Sequence, residues 1–465
     1  MNPIALTQLQ ARFGGKVFGE LNACFSAVST DSRSIAEGEI FVALKGDNFD
    51  AHTFVPQVLS IKPVAVVVEK SWADEHAELL MLGSFWVVEN TVDALANIAT
   101  LAREAFTGPL IAVTGSCGKT TVKEMLLGIA RQAFGLDRVL ATQGNLNNHV
   151  GVPKTLFGIK PEHAIAIVEM GASGPNEIAH LVAMAKPTVA VVNNVMAAHV
   201  EGFGSLAGVA KAKSAIYEGL SSDGVAVINI DDAFAQQFVD LNTQRKTLTV
   251  SLNRTDADLF SSNVVLESDR ISFTLVHRSI AYPVELPATG MHNVRNALVA
   301  AACALAAGMS IETVVDGLKN FIAAKGRMNI STPMPLVRLI DDTYNANPGS
   351  VRAAIDTLAN FEGERWLVLG DMGELGADEK QLHADIGVYA KSAKLDGLIT
   401  VGALSKFAAE SFGSSFTFDS QALALDRVME LIKSQAGQIT ILIKGSRSAR
   451  MELIVQAIAD SKEKN

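Results

Sequence analysis

A glycine-rich turn at residues 114–120 has the residue types needed to hold phosphate groups. The turn reads Thr-Gly-Ser-Cys-Gly-Lys-Thr, follows the apolar run 110–113 and precedes a helical pattern that opens near Thr121. In this order of strand, turn and helix, backbone N–H groups can approach phosphate oxygens, and the helix N-terminus adds a partial positive charge. Lys119 can reach the β- and γ-phosphates of a nucleotide, and the Thr120 hydroxyl can bind Mg²⁺. The turn therefore predicts a phosphate site, with a plain glycine turn as the alternative.

One position departs from the general phosphate-loop pattern G-x-x-x-x-G-K-[ST]. Val113 stands where that pattern has its first glycine. The departure argues against ordinary kinases and GTPases as the class of this protein.

Polar side chains also follow other apolar runs. Glu169 ends the run 164–168, and His199 lies in the loop after the run 189–192. Ligands of open α/β sheets bind at the carboxyl ends of the strands, so both residues are candidates for a site. A lone histidine is more often structural than a metal ligand, and the pairing with Glu169 and Thr120 favours the functional interpretation.

Amide-rich segments form a further group of candidates. The turn 142–153 is donor-rich, which favours a bound ligand, although an ordinary Asn/Gly loop remains open. Asn293 and Asn296 are three residues apart at the start of an Ala-rich helix, so they share a helix face. They could present amides to one edge of a base, and for Asn293 helix capping is the alternative.

The elements that must position these residues alternate between strands and helices. Short β-branched runs separated by helical stretches predict an α/β protein with mostly parallel, buried strands. Alternation near 246–287 predicts added antiparallel strands, and Gly308 to Ser310 break the Ala-rich segment 292–323 into two helices. A fresh series of strands at 337–341, 366–369, 397–401 and 439–443 predicts a separate doubly wound unit.

Length and composition set the bounds of the fold and the function. At 465 residues the chain predicts two to three domains, and 49% hydrophobic and 19% charged residues predict a well-folded globular protein. The net charge of −10 argues against a nucleic-acid partner, because proteins that neutralise many phosphates normally carry a basic surface. Three scattered cysteines argue against disulfides and a zinc cluster, and no signal peptide or membrane-spanning run is found, so a cytoplasmic location is expected.

Taken together, the ordered motifs resemble the Mur ligase and folylpolyglutamate synthase superfamily of ATP-dependent amide ligases. The TGxxGKT form of the turn, the segment His292-Asn293-Val294-Arg295-Asn296 and the junction Lys325-Gly326-Arg327 all follow in the order of that family. The resemblance implies three domains: an N-terminal module that binds the UDP-linked substrate at 1–85, a central P-loop ATP-binding domain with a mostly parallel sheet at 86–324, and a C-terminal Rossmann-like domain at 325–465.

The resemblance also implies roles for individual residues. Lys119, Lys213, His199 and Arg327 would be catalytic, and Thr120, Glu169, His199 and a carbamylated Lys213 would bind Mg²⁺. ATP would contact Gly115, Ser116, Cys117, Gly118, Lys119, Thr120, Thr121, Asn293, Asn296, Arg327, Asp342 and Tyr344. The substrates other than ATP would contact Ser29, Asp31, Ser32, Arg33, Lys45, Thr142, Asn145, Asn147, Asn148, Asn345 and Asn347.

Three segments indicate the branch of the family. The string 344–350, Tyr-Asn-Ala-Asn-Pro-Gly-Ser, resembles the branch that adds D-alanyl-D-alanine to UDP-N-acetylmuramoyl-tripeptide, and the segments 29–33 and 38–46 resemble a uridine-binding module that folylpolyglutamate synthase lacks. Ala51 departs from the Asp-Gly-His pattern of this module. The implied partners are these two substrates, and the expected state is a monomer. The alternatives are a ligase that adds diaminopimelate or lysine, a folylpolyglutamate synthase, or a P-loop kinase.

Overall fold

The computed structural model describes residues 1–46, 48–197 and 200–461. Within these ranges the chain forms three larger sheets in sequence order, with five, nine and six strands. Most neighbouring strands are parallel and helices cover them, so the α/β prediction is confirmed. No helix in the described part is both long and apolar enough to cross a membrane.

The first module is built on a five-stranded sheet of order β2-β9-β8-β5-β4. Its strands are β1 Ile4–Ala5, β2 Lys16–Phe18, β3 Cys24–Phe25, β4 Val28–Ser29, β5 Ile40–Val42, β6 Lys45–Gly46, β7 Phe49–Asp50, β8 Ala65–Glu69 and β9 Phe85–Val88, and its helices are α1 Leu6–Phe13, α2 Val55–Leu59 and α3 Lys70–Glu75. The expected domain limit after residue 85 falls inside β9, which pairs with β8 and β2, so the limit must move beyond this strand.

Helix α4, Thr91–Glu104, connects the first module to the central one. The Asn90 side chain starts it by accepting two hydrogen bonds from first-turn N–H groups. Leu95 and Ile98 pack into the core of the first module, whereas Ala99 packs into the core of the central module. One helix therefore belongs to both hydrophobic cores.

The central module contains a nine-stranded sheet of order β11-β12-β10-β13-β14-β15-β16-β17-β18. Its strands are β10 Leu110–Thr114, β11 Val139–Ala141, β12 Ile165–Glu169, β13 Val189–Val192, β14 Val225–Asn229, β15 Lys246–Ser251, β16 Leu259–Leu266, β17 Ile271–His277 and β18 Ile280–Leu286. Its helices are α5 Lys119–Phe134, α6 Gly151–Phe157, α7 Glu177–Ala185, α8 Val200–Phe203, α9 Leu206–Ser214, α10 Ala235–Leu241, α11 Met291–Ala306 and α12 Ile311–Lys319.

Only part of the region 246–287 is antiparallel. Strands β16, β17 and β18 pair antiparallel as expected, but β15 pairs parallel with both β14 and β16. The Ala-rich helix α11 lies in the main core, because its small side chains allow close packing on both faces. Ser310 caps α12, and Gly308 adopts a φ of 89° just after α11, as the sequence predicts.

The last module has a six-stranded sheet of order β19-β20-β24-β21-β22-β23, which is parallel except at its β19 edge. The strands are β19 Asn329–Met334, β20 Val337–Asp342, β21 Glu364–Gly370, β22 Gly397–Val401, β23 Ser415–Phe418 and β24 Ile439–Lys444, and the helices are α13 Pro348–Ala359, α14 Glu379–Ser392, α15 Lys406–Phe412, α16 Gln421–Ser434 and α17 Glu452–Ser461. Two separate hydrophobic clusters cover its two faces, as in a doubly wound sheet. The expected limit after 324 lies in the connection between α12 and β19.

Candidate active site

A cavity of about 390 Å³ lies between the central and last modules, at the carboxyl ends of their parallel strands. The lining residues come from segments 116–121, 147–148, 169–177, 194–196, 287–296, 321–328 and 342–354, together with Lys444. Both sheets therefore contribute to one site, in the place where open α/β sheets bind ligands.

The phosphate-binding turn connects β10 to α5 at the wall of this cavity. Gly118 precedes the helix with a φ of 76°, a left-handed conformation that favours glycine. Lys119 Nζ donates to the carbonyl oxygen of Gly115 at 2.7 Å, and burial lowers the Lys119 pKa against the opposing effect of Glu169. Residues 116–121 line the cavity, while Gly115 lies behind it. The turn thus presents a lysine and a helix N-terminus to the cavity.

Two consecutive asparagines after β13 hold this turn by side-chain hydrogen bonds. Asn193 Nδ2 donates to the Cys117 carbonyl oxygen at 2.8 Å, and Asn194 Nδ2 donates to the same oxygen at 3.0 Å. The Asn194 side-chain oxygen also accepts from the Cys117 N–H at 2.9 Å. Neither residue was predicted from the sequence, although both directly follow a buried strand, where ligands of open α/β sheets bind.

Glu169, at the end of β12, places a carboxylate in the cavity. Its Oε1 accepts from Asn147 Nδ2 at 2.7 Å, whereas its buried Oε2 has no hydrogen-bond partner among the described residues. The hydroxyl of Thr120 lies in the same cavity. A buried carboxylate oxygen without a donor and a hydroxyl oxygen are hard donors that fit Mg²⁺.

The remaining residues of the amide-rich turn have different environments. Thr142 is buried behind the site, and its hydroxyl accepts from the Glu169 N–H at 2.9 Å, so this side chain supports Glu169 instead of facing the cavity. Asn148 lines the cavity while its Oδ1 accepts from the N–H groups at the start of α6. Asn145 is exposed and outside the cavity wall.

Lys213 is almost fully buried in α9, with 1% of its surface exposed. Burial, reinforced by the charge of Lys119, lowers the pKa of Lys213 to about 7. Its amine is therefore substantially neutral near neutral pH. His199 lies outside the described residues.

Asn293 and Asn296 line the cavity from the first turns of α11, and they bond to each other. Asn296 Nδ2 donates to Asn293 Oδ1 at 3.0 Å, and Asn293 Nδ2 donates to the Thr289 carbonyl oxygen at 2.8 Å. Asn293 does not cap the helix, because the N-cap residue is Gly290. The same segment adds His292, which the sequence analysis gave no role and whose pKa burial lowers to about 4.

Arg327 and Tyr344 approach the cavity from the last module. The Arg327 guanidinium lies 4.0 Å from the centre of the Tyr344 ring, and its Nη2 donates to Thr120 Oγ1 at 3.3 Å. This hydrogen bond spans the two modules. It places a cation beside the phosphate-binding turn.

The carboxylate of Asp342 is held at the end of β20. Lys444, which is 2% exposed, donates from Nζ to Asp342 Oδ2 and to the Asn345 carbonyl oxygen, the latter at 3.0 Å. The Asn345 side chain accepts from the adjacent Ala346 N–H. A buried lysine therefore fixes both the carboxylate and the loop that follows it.

Asn347 has a structural function that the sequence analysis did not give it. Its side chain caps α13 by accepting from the Ser350 N–H at 2.9 Å. The same amide contacts Cys117 Sγ at 3.2 Å, across the boundary between the modules. Asn347 therefore connects the last module to the phosphate-binding turn.

The candidates of the first module lie apart from the cavity. Asp31 forms a two-pronged ion pair with Arg33, which lowers the Asp31 pKa, and the Ser29 hydroxyl donates to the Asp31 carbonyl oxygen at 3.1 Å. Ser32 follows in the same loop, and Lys45 is exposed with Nζ 3.8 Å from an Asp50 carboxylate oxygen. These residues form a separate polar surface rather than part of the 390 Å³ cavity.

The departure at Ala51 leaves the local turn intact. Ala51 is buried at the start of a short 3₁₀ helix and has no positive φ, so a Cβ is tolerated there. Asp50 accepts from His52 Nδ1 at 2.6 Å, and His52 Nε2 accepts from the Glu69 N–H at 3.0 Å. The buried histidine is therefore satisfied on both ring nitrogens.

Comparison with known proteins places this geometry in a family. The Mur ligase middle domain matches residues 113–304, and the Mur ligase glutamate ligase domain matches residues 326–447. The chain is 39% identical over 99% of both chains to the UDP-N-acetylmuramoyl-tripeptide--D-alanyl-D-alanine ligase of Escherichia coli (strain K12). The protein therefore belongs to the Mur ligase family of ATP-dependent amide ligases.

Two solved structures resemble the whole chain. A crystal structure of MurF from Acinetobacter baumannii has a TM-score of 0.92 and 35% identity over 99% of each chain. MurF ligase from Thermotoga maritima in complex with ADP has a TM-score of 0.82 and 26% identity, over 94% of this chain and 98% of that one. The similarity includes all three modules, so it extends beyond a shared nucleotide-binding core.

Proposed function

We propose that this protein joins D-alanyl-D-alanine to UDP-N-acetylmuramoyl-tripeptide with ATP, giving UDP-N-acetylmuramoyl-pentapeptide, ADP and phosphate. The observation that carries the proposal is the 39% identity, over 99% of both chains, to a ligase of that name. A protein that shared only the ATP-binding module would not match across the first and last modules. The same reaction class was expected from the ordered motifs of the sequence.

The chemistry explains why two cations approach one cavity. A carboxylate is a poor electrophile, so transfer of the γ-phosphoryl group of ATP to the tripeptide carboxylate gives an acyl phosphate and ADP. The dipeptide amine then attacks the carbonyl carbon, and the C–O bond to phosphate breaks as the amide forms and the amine loses a proton. Lys119 and Arg327 would offset the negative charge that gathers during phosphoryl transfer.

The cavity also has the donors expected of a magnesium site. Among the described residues, no group of three or more His, Cys, Asp or Glu side chains could hold a metal ion. Glu169 Oε2, which has no hydrogen-bond partner among the described residues, and the Thr120 hydroxyl would hold Mg²⁺ together with phosphate oxygens and water. Bound there, the ion would neutralise phosphate charge, and His199 would be an additional ligand.

Lys213 is proposed to carry a carbamate. A neutral amine is required for addition to CO₂, and a pKa of about 7 supplies one near neutral pH. The product, an N-carboxylate formed with loss of one proton, would turn a buried cation into an anionic oxygen ligand.

The nucleoside part of ATP is proposed to lie between α11 and β20. Asn293 and Asn296 would face the adenine, Asp342 the ribose, and Tyr344 the adenosine, since all four line the cavity. The first module would bind the UDP part of the other substrate through the surface that includes Asp31. We expect a monomer in the cytoplasm.

The proposal is tested by ADP release with UDP-N-acetylmuramoyl-tripeptide while the amine substrate is varied. We expect turnover with D-alanyl-D-alanine but not with single amino acids or without an amine. Lys119→Ala should abolish turnover, whereas Lys160→Ala, an exposed lysine of the same module, should not change it. Turnover with diaminopimelate, lysine or glutamate instead of the dipeptide would overturn the proposal.

A further inference from the structure

The peptide bond between Cys117 and Gly118 is held by two side-chain hydrogen bonds to its carbonyl oxygen. The Cys117 carbonyl oxygen accepts from Asn193 Nδ2 at 2.8 Å and from Asn194 Nδ2 at 3.0 Å. Asn193 is fully buried and Asn194 is 7% exposed, so both hydrogen bonds are sheltered from water. Two buried amide donors on one carbonyl fix its direction more firmly than one would.

The direction of this carbonyl determines the direction of the Gly118 N–H group. A trans peptide is planar, and its C=O and N–H point to opposite sides. The carbonyl points to the side chains of Asn193 and Asn194, so the Gly118 N–H points away from both amide groups. Gly118 lines the cavity. If the peptide were reversed, a carbonyl oxygen would face the phosphates and repel them.

Asn194 also fixes the preceding part of the turn. Its backbone carbonyl accepts from the Ser116 N–H at 2.9 Å, and its side-chain oxygen accepts from the Cys117 N–H at 2.9 Å. These two N–H groups are used inside the protein. Phosphate contacts therefore depend on the N–H groups from Gly118 onward.

Asn193 additionally contacts the helix that carries the adenine candidates. The same Nδ2 donates to Asn296 Oδ1 at 3.0 Å, and Asn193 Oδ1 has no hydrogen-bond partner among the described residues. A methyl group on Gly118 would lie 2.7 Å from Asn193 Nδ2 and 2.6 Å from Asn296 Oδ1. The turn, Asn193 and Asn296 are thus packed as one unit.

We propose that Asn193 and Asn194 are positioning residues for phosphoryl transfer, which orient the 117–118 peptide so that the Gly118 N–H faces the nucleotide phosphates. The inference rests on the proposed ATP-dependent ligase function. It predicts that loss of either amide donor lowers the affinity for the nucleotide and leaves the affinity for the UDP-linked substrate unchanged.

The test replaces amide donors by isosteric carboxylates. Asn193→Asp removes the amide donor to the Cys117 carbonyl oxygen. A carboxylate oxygen, which is another acceptor, then lies opposite that carbonyl oxygen. Asn194→Asp removes one donor but keeps the acceptor for the Cys117 N–H. The matched control is Asn242→Asp. Asn242 is also fully buried, and its Nδ2 donates to the backbone carbonyl oxygen of Phe238, a residue of α10, at 2.8 Å.

Binding of a non-hydrolysable ATP analogue with Mg²⁺ is measured by calorimetry, beside thermal unfolding and the KM for each substrate. We expect Asn193→Asp to raise the Kd of the analogue and the KM for ATP by about tenfold or more, and Asn194→Asp by several-fold. The KM for the UDP-linked substrate should stay within about twofold of wild type, and Asn242→Asp should lower thermal stability alone. A crystal structure of Asn193→Asp should show the 117–118 peptide reversed.

The outcomes separate the two proposals. If the wild-type protein releases ADP only with the expected substrates but both site variants bind the analogue like wild type, the positioning role is wrong. Equal loss of nucleotide affinity in the Asn242→Asp control would also overturn it, because the effect would then be general destabilisation. Should Asn193→Asp fail to fold, the milder Asn194→Asp decides the question. Absence of ligase turnover in wild type contradicts the proposed function instead.

Discussion

Replacing Gly118 by alanine should weaken nucleotide binding more than a left-handed backbone alone explains. Gly118 has a φ of 76°, and placing an L-residue in this region costs about 1–2 kcal/mol. The new methyl group would also lie 2.6 Å from Asn296 Oδ1 and 2.7 Å from Asn193 Nδ2. Both amides are hydrogen-bonded, so the turn must move, and crowding of this kind costs about 1–3 kcal/mol.

A control outside the cavity shows how a left-handed alanine affects stability alone. Gly308 follows α11 with a φ of 89°, and a methyl group there would meet nothing within 4 Å. Gly308→Ala therefore carries the backbone cost without the crowding. Nucleotide binding must reverse the shift of the turn that relieves this crowding, so about 1–3 kcal/mol, at about 1.4 kcal/mol per tenfold change, predicts a Kd for an ATP analogue raised about 5- to 140-fold in Gly118→Ala.

Calorimetric titration with a non-hydrolysable ATP analogue and Mg²⁺ measures this difference, and thermal unfolding monitors stability in both variants. We expect Gly308→Ala to bind like wild type while unfolding at a slightly lower temperature. The reasoning is refuted if Gly118→Ala also binds within about twofold of wild type, or if the two variants lose affinity equally.

Three further predictions concern Glu169, Arg327 and Lys213. Glu169→Gln removes the carboxylate whose Oε2 lacks a partner among the described residues, so the Mg²⁺ concentration for half-maximal activity should rise about tenfold or more; an unchanged requirement in a magnesium titration would contradict a metal contact. Arg327→Lys loses the planar group that lies 4.0 Å from the Tyr344 ring, so kcat/KM for ATP should fall about 10- to 100-fold in steady-state assays, and a variant with full activity would show that a point charge suffices. Because the pKa of Lys213 is about 7, its neutral form increases as pH rises through 7, and a ¹³C carbamate signal at constant dissolved ¹³CO₂ should grow between about pH 6 and 8. That signal should be missing in Lys213→Met, and growth only above about pH 9 would show an ordinary lysine.

Local order in the chain was predictable where the sequence pattern is itself local. The strand before the phosphate-binding turn, the helix after it, and the four parallel strands expected from 337 to 443 are confirmed by β10, α5, β20, β21, β22 and β24. Strong β-branched periodicity and glycine at a turn depend on neighbouring residues only. The cap at Ser310 is predictable for the same reason.

Pairing and side-chain direction were not predictable in the same way. β15 has an alternating pattern that fits either direction, and its parallel pairing depends on the connection between strands. From the sequence, Thr142 was predicted to bind substrate. In the fold its hydroxyl accepts a hydrogen bond from the N–H of Glu169, which lies 27 positions away in the chain. Asn193 and Asn296 are separated by 103 positions, so only the folded chain shows that they bond.

The cavity shared by two modules has a kinetic consequence. Residues 116–121 of the central module and 342–354 of the last module line this cavity, so a nucleotide bound there would contact both modules. The nucleotide would act as a non-covalent cross-link between the two modules. Each contact that strengthens nucleotide binding would therefore also slow the separation of the modules that releases the nucleotide. A higher affinity for ADP would therefore slow product release and lower kcat. The variant that binds nucleotide most tightly need not have the highest turnover rate.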